Sequence, residues 1–339
     1  MTEPIFLAAN NGDVGGGEQM LLRTAEAARD LGRDVTVVAP ATPGDVVDAA
    51  RAAGLAAVAV PGDSRPAYAR ELRRWDRQRD GLLWCHGLVP ALATAGRGRR
   101  IVHLHQRPRS RAQWAALVVA SRGALRLLAP SETLARDLPD GQALPNWTDD
   151  LALIARPAPV DTLRVGYLGR ISTGKGLDVL ADAVRTVDRP VSLLVAGDER
   201  WVPEADLEPV RRSLAVLGDR AVRLGHTTPA DLFAQVDVAV FPSRWPESFG
   251  LVVAEAMAAG VPFIISDAGA LPEVAGPEHP WVARAGDADH LADVIARLAA
   301  TDAAERDRVT ERARARWVSE YSPAAGRDRV RRLLEEVVS

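Results

Sequence analysis

The sequence predicts an α/β protein made of two Rossmann-like, doubly wound parallel sheets of similar size facing a central cleft. Two patterns and one length carry that reading. Short β-type runs alternate with Ala/Leu/Arg-rich helical runs from end to end, which is the succession of βαβ units. The succession restarts after "ARPAPVDT" (155–162), a proline-punctuated segment that reads as a linker. The 339 residues suffice for two domains of ordinary size.

In the first half the strand candidates are "IFLAAN" (5–10), "DVTVVAP" (34–40), "AAVAVP" (56–61), "GLLWCHG" (81–87), "RIVHLHQ" (100–106) and "RLLAPS" (126–131). Gly, Pro, Asp or Asn bound them, and segments such as "EQMLLRTAEAARDLG" between them space apolar residues at helical intervals and close on glycine. In the second half they are "LRVGYLGR" (163–170), "VSLLVAGD" (191–198), "RAVRLGH" (220–226), "VDVAVFPS" (236–243) and "VPFIISD" (261–267). The domains expected are 1–155, 156–320, and a C-terminal helix over 321–339 that crosses back to the N-terminal domain. The cleft between two such halves is the default ligand site.

Composition narrows the function classes. Hydrophobic content of 47% and charged content of 26% are those of a soluble globular protein. A net charge of −3 supplies no field to attract nucleic acid. The single cysteine, Cys85, precludes an intramolecular disulfide and fits a reducing cytoplasm. "MTEPIFLAANNGD" lacks the basic n-region and apolar length of a signal peptide, and no run approaches the roughly 18 apolar residues of a membrane span. The expected location is cytoplasmic, with peripheral membrane contact left open. No metal site is expected. The single Asp-x-Asp, Asp287-Ala288-Asp289, opens a helix where Asp is a favoured cap, and no His/Cys cluster has ligand spacing.

A glycine cluster after the first strand, "NNGDVGGGEQM", invites a dinucleotide reading, but its spacing is wrong for G-x-G-x-x-G and the second strand ends without the ribose-binding acid. The cluster still allows backbone to approach a ligand, or it is a loose connection. "STGKGL" lacks the first glycine and the Ser/Thr of a Walker loop. It does contain Lys175, the one lysine among 42 basic side chains. A generic positive charge could have become arginine like the other 41. A compact ammonium required in a backbone-lined pocket could not, because guanidinium is a wide planar fork.

"FPSRWPESFGLVVAEAMAAGVPFIIS" carries the strongest motif. A strand ends at Phe241, and a helix starts around Phe249 or Gly250. Glu247 precedes that helix, and Glu255 is the sole charge in "LVVAEAMAAG". A carboxylate on a helix apolar all round is expected to be buried and to need a dedicated partner, protein or ribose hydroxyl. The free N–H groups around Phe249, Gly250 and Leu251 favour a phosphate.

This E-x7-E block, with "GRISTGKG" upstream, resembles the signature of the retaining GT-B glycosyltransferases of family 4 (glycosyl transferases group 1). "GGGEQMLL", "RIVHLHQ", "APSETLARDL" and "LPNWTDD" resemble further segments of that family, though Trp147 stands where the family usually has glycine. The resemblance implies a metal-independent transfer of sugar from a UDP- or GDP-linked donor, without a cofactor, to a hydroxyl of a glycan, lipid-linked or natural-product acceptor. By the same resemblance Arg170 and Lys175 bind the donor diphosphate, Glu247 the sugar hydroxyls and Glu255 the ribose. The backbone at Phe249, Gly250 and Leu251 and the glycines Gly16 and Gly17 complete the donor site. His105 is an orienting or stabilising group near the sugar. Acceptor candidates are Glu18, His86, Arg107 and Arg109, the last two from "RGRRIVHLHQRPRSR" (97–111), with its six arginines and no acid. Those arginines either receive an anionic acceptor or are surface charge. A nucleotide-sugar epimerase of the same fold and an inactive nucleotide-sugar-binding protein are the competing readings.

Overall fold

A computed structural model describes residues 3–155, 161–200 and 202–338. The chain forms two compact units, one running to Asn146 and resuming at Pro323, the other comprising Trp147–Ser322. The proline-rich stretch 156–160, the heart of the expected linker, lies outside the described residues.

The first unit holds strands β1 (Ile5–Ala9), β2 (Val35–Pro40), β3 (Ala56–Val60), β4 (Leu82–His86), β5 (Arg100–His103), β6 (Ala124–Ala129) and β7 (Gly141–Ala143). They pair in the order β3-β2-β1-β4-β5-β6-β7, all parallel. Leu7 stands opposite both Val37 and Trp84, and all three are fully buried. A parallel sheet covered on both faces needs such unbroken apolar strands, which is why the runs read as continuous rather than alternating. The helix Pro323–Val338 belongs to this unit and packs on Gly16–Asp30. Arg329 donates to the Pro145 carbonyl (3.0 Å) and Arg99 to that of Val337 (3.0 Å), tying down the middle and the C-terminal end of the helix.

The second unit repeats the plan with β8 (Leu163–Leu168), β9 (Val191–Ala196), β10 (Ala221–Gly225), β11 (Val238–Phe241), β12 (Phe263–Ser266) and β13 (Val282–Ala283). Their order is β10-β9-β8-β11-β12-β13, again parallel. One face buries Val165, Leu180, Leu193 and Ile295; the other buries Phe233, Val253, Met257 and Phe263.

Three details differ from the sequence expectation. Strand β5 ends at His103, so His105 sits in the turn beyond it. The helix after β11 starts at Leu251 rather than Phe249 or Gly250. Strands β7 and β13, of three and two residues, are edge strands too short to show a pattern. The odd residue of "PNWTDD", Trp147, is buried. Its neighbour Thr148 is held by Trp317, whose indole N–H donates to the Thr148 hydroxyl (2.8 Å).

Candidate active site

In the second unit β8 leads through Gly169 and Arg170 into the turn Thr173–Lys175. The Ser172 hydroxyl caps that turn, accepting from the Lys175 N–H. Glycine is required after Lys175 and eases the packing before it. Gly176 has φ +74°, and a Cβ there would stand 1.9 Å from the Pro242 carbonyl oxygen. At Gly174 a Cβ would meet the Trp245 ring at 2.8 Å. The Gly174 carbonyl in turn accepts from the N–H groups of Arg244 (3.0 Å) and Trp245 (3.2 Å). The lysine turn is thus clamped to the loop that follows β11.

That loop carries Glu247. Its backbone bridges to Gly269, and its carbonyl accepts from Ala270 N–H at 2.9 Å. The carboxylate oxygen Oε1 accepts from Lys175 Nζ at 2.6 Å and from Ser243 Oγ at 2.5 Å. Ser243 is placed by Ser266, whose hydroxyl donates to the Ser243 carbonyl (2.6 Å). Burial pushes the Glu247 carboxyl up, but the Lys175 charge, the hydrogen bonds from Lys175 and Ser243, and the charge of Arg170 outweigh it. The net shift is downward, so Glu247 is an anion at neutral pH.

Arg170, Lys175, Ser243 and Glu247 line a cavity of about 210 Å³ that Tyr167, Val252 and Leu271 close on its apolar side. Val252 and Glu255 are three residues apart on helix Leu251–Ala259 and share a face. Glu255 is only half-buried, which corrects the full burial expected from an all-apolar helix. Gly250 caps that helix at φ +101°, and a Cβ there would strike Leu271 at 2.5 Å. The Phe249 side chain is buried and packs edge-on against Tyr321 (5.3 Å), leaving only its backbone to meet a ligand. Leu251, the first residue of the helix, is half-buried.

In the first unit Gly16 and Gly17 open helix Gly16–Asp30, and a Cβ at Gly17 would lie 3.3 Å from the Cβ of His105. The glycine lets the helix start come down on that histidine. Glu18 is buried, accepts from Asn11 Nδ2 (3.0 Å), and has its carboxyl pushed up by burial. Arg65 donates to Asn11 Oδ1 (3.0 Å).

His86 ends β4 and stands opposite His103 on β5. His86 Nδ1 and His105 Nε2 are 2.9 Å apart, a hydrogen bond whose donor depends on the tautomers. Burial depresses all three imidazoles, His105 to about 4, so they are neutral at pH 7. This cluster is what sequence reasoning missed. Its signal lies in the register of β4 and β5, not in any ligand spacing along the chain. His86, taken as an acceptor contact, is 2% exposed and bonded to His105 instead.

Most of the arginines of 97–111 have structural partners. Arg97 pairs with buried Asp76 (2.9 Å), Arg99 with Glu3, and Arg107 with Asp137 (3.0 Å). Arg100 is fully buried and donates to the carbonyls of Ala91, Arg97, Ala120 and Arg122. The Arg109 backbone N–H donates to Gln113 Oε1 (2.6 Å). Asp287 of the Asp-x-Asp caps its helix, accepting from His290 N–H (2.9 Å), and pairs with Arg284. Among the described residues no helix is long and apolar enough to cross a membrane.

Two all-parallel α/β sheets, one in each unit, are the architecture of the GT-B fold. Residues 14–154 match the profile described as Glycosyltransferase Family 4, and residues 162–301 match that described as Glycosyl transferases group 1. The chain belongs to the family 4, group 1 glycosyltransferases. It is 38% identical over 117 residues to the lipopolysaccharide core biosynthesis mannosyltransferase LpsB of Rhizobium meliloti, covering 32% of this chain and 33% of that protein. It is 35% identical over 162 residues to the D-inositol 3-phosphate glycosyltransferase of Xylanimonas cellulosilytica, covering 46% and 38%. The matches therefore span little more than a third of these relatives. The fold is shared with Anabaena Alr3699/HepE, solved with UDP and glucose (TM-score 0.86, 19% identity, 98% and 99% of the two chains). It is shared too with the sucrose-phosphate synthase of Thermosynechococcus elongatus (TM-score 0.81, 20% identity, 99% of each chain).

Proposed function

We propose that the chain transfers a sugar from a UDP- or GDP-linked donor to an acceptor hydroxyl, with retention at the anomeric carbon and without a metal ion. The observation that carries this reading is the fixed cation–anion pair of Lys175 and Glu247 on the wall of the cavity. Breaking the glycosidic bond leaves two negative charges on the nucleoside diphosphate, and prepositioned cations stabilise that charge with no metal. Lys175 and Arg170 supply them here, joined by the N–H groups at the start of helix Leu251–Ala259. Before donor arrives, Lys175 keeps Glu247 ionised. An anionic diphosphate draws the ammonium toward itself, and Glu247 then accepts from the sugar hydroxyls. Glu255, on the same helix face as Val252, takes the ribose hydroxyls, and Gly16 and Gly17 give backbone access to the donor. His105 orients the sugar, and its neutral state suits hydrogen bonding rather than charge.

The acceptor is a hydroxyl-bearing glycan, lipid-linked or natural-product molecule. Arg107 holds Asp137 through a half-exposed ion pair worth about 0–1 kcal/mol, which an anionic acceptor would displace at little cost. Incubation with a panel of nucleotide sugars tests the reading. Slow donor hydrolysis, with transfer once a competent acceptor is added, supports it. Epimer formation means an isomerase, and binding without turnover means an inactive binding protein; either result overturns it.

A further inference from the structure

Three histidines are brought together by the sheet of the first unit. Trp84 and His86 are two apart on β4 and share a face, and His103 stands in register with His86 on β5. His105 folds back over them from the turn. The imidazole centroids lie 5.2 Å (His86–His103), 4.2 Å (His103–His105) and 5.1 Å (His86–His105) apart, and one nitrogen from each ring falls within 4.8 Å of the others.

The polar accounting of this cluster does not close. Three neutral imidazoles offer three donors and three acceptors, and one hydrogen bond joins them, His86 Nδ1 to His105 Nε2. His86 Nε2, both nitrogens of His103, and His105 Nδ1 are buried with no hydrogen-bond partner among the described residues. His103 is 0% exposed and His86 2%, so bulk water does not answer them. Each buried unpaired polar atom is destabilising. Such a group of orphaned nitrogens calls for an ordered water or an ion. An ion held by one nitrogen of each ring takes up a nitrogen of His103, while each ring keeps one outer nitrogen of its own.

We propose that His86, His103 and His105 form a binding site for one divalent transition-metal ion, Zn²⁺ fitting best. Three imidazoles with no thiolate suit a borderline cation, and three histidines leave its fourth position open. At Zn–N distances of about 2.0–2.1 Å, tetrahedral ligands stand about 3.3 Å apart. The His86–His105 pair therefore opens by roughly 0.4 Å from its 2.9 Å hydrogen bond. The bridging proton moves to the outer nitrogen of its ring, both rings turn so that their lone pairs converge, and His103 turns a nitrogen inward. His105 is the least buried of the three, and an ion enters from its side. Occupancy also has a consequence that rests on the proposed function. It takes His105 from the transferred sugar, so the metal inhibits rather than catalyses.

The test uses the tag-free full chain, stripped with chelator, and reads binding with no substrate present. Zn²⁺ is titrated by calorimetry, Co²⁺ by its visible absorption, and Zn²⁺ protection by thermal melting. The expected result is one equivalent of Zn²⁺ bound, a four-coordinate Co²⁺ spectrum, and a raised melting temperature. His103→Phe, which keeps an aromatic ring in the stack, and the milder His86→Gln each weaken Zn²⁺ at least about tenfold. Absence of saturable one-equivalent binding overturns the site, as does affinity unchanged in both variants, which moves the metal to His226, His279 or His290. Donor hydrolysis is then measured against Zn²⁺ concentration, each protein relative to its own metal-free rate, and half-inhibition of His86→Gln takes at least about ten times the Zn²⁺ that wild type needs. Binding without inhibition leaves the metal site standing and removes His105 from the sugar.

Discussion

Lys175 offers the sharpest perturbation, because its charge and its shape can be changed separately. Lys175→Met removes the ammonium 2.6 Å from Glu247 Oε1. Breaking a fully buried pair costs about 3–5 kcal/mol and an exposed one about 0–1 kcal/mol. With the lysine side chain 37% exposed and the glutamate 18%, the cost falls between those limits, about 1–2 kcal/mol. Lys175→Arg keeps the charge, so it costs less stability than the about 1–2 kcal/mol of Lys175→Met. The guanidinium fork does not fit, however, where one carboxylate oxygen is already shared with Ser243 and the turn is clamped at Gly174 and Gly176. Losing a charge contact formed mainly in the transition state costs about 3 kcal/mol, roughly 10²-fold in turnover. The assay pairs thermal melting with kcat for donor hydrolysis. Lys175→Arg that melts above Lys175→Met yet keeps only about one hundredth of wild-type kcat supports the argument. Wild-type kcat in that variant would falsify it.

Three other outcomes are expected. Gly176→Ala forces a left-handed residue into the Pro242 carbonyl and lowers stability by more than about 2 kcal/mol, read by denaturant titration; a loss near zero contradicts the clamped turn. Glu255→Gln replaces charge-assisted ribose bonds with weaker ones and loosens UDP and GDP about tenfold, whereas unchanged affinity with a lower melting temperature assigns Glu255 to a structural pair. His279, which stacks on Phe263 (4.3 Å), has its pKa lowered by burial to about 4, against about 6.5 when unfolded. A depressed histidine contributes stability that is complete above pH 6.5 and is lost as pH falls toward 4. His279→Gln should therefore remove up to about 1.4 kcal/mol per pH unit from that acid slope, and a slope identical to wild type contradicts it.

The parallel sheets were legible because buried strands read as continuous apolar runs bounded by turn residues, as in β1 and β9. Edge strands β7 and β13 were not, since two or three residues carry no period. Lys175 and Glu247 were each singled out, yet for different parts of the donor. Their direct contact spans 72 residues of sequence and depends on Pro242, Trp245 and Gly269 holding two loops together. The histidine cluster was invisible for the same reason. His86 and His103 meet only through strand register, which no spacing rule expresses. Glu255 shows the opposite error: an all-apolar helix suggested burial, but the carboxylate lies on the partly open face shared with Val252.

The central claim is that the Lys175–Glu247 cavity binds the diphosphate of a nucleotide sugar through fixed cations alone. Calorimetric titration of UDP and GDP into wild type and Lys175→Met, in buffer containing EDTA, tests it most directly. The account predicts one-to-one binding of at least one nucleotide in EDTA, weakened about tenfold or more in the variant, as expected for loss of a charge-assisted phosphate contact. Equal affinity in both proteins, or binding that appears only when a divalent ion is restored, contradicts it.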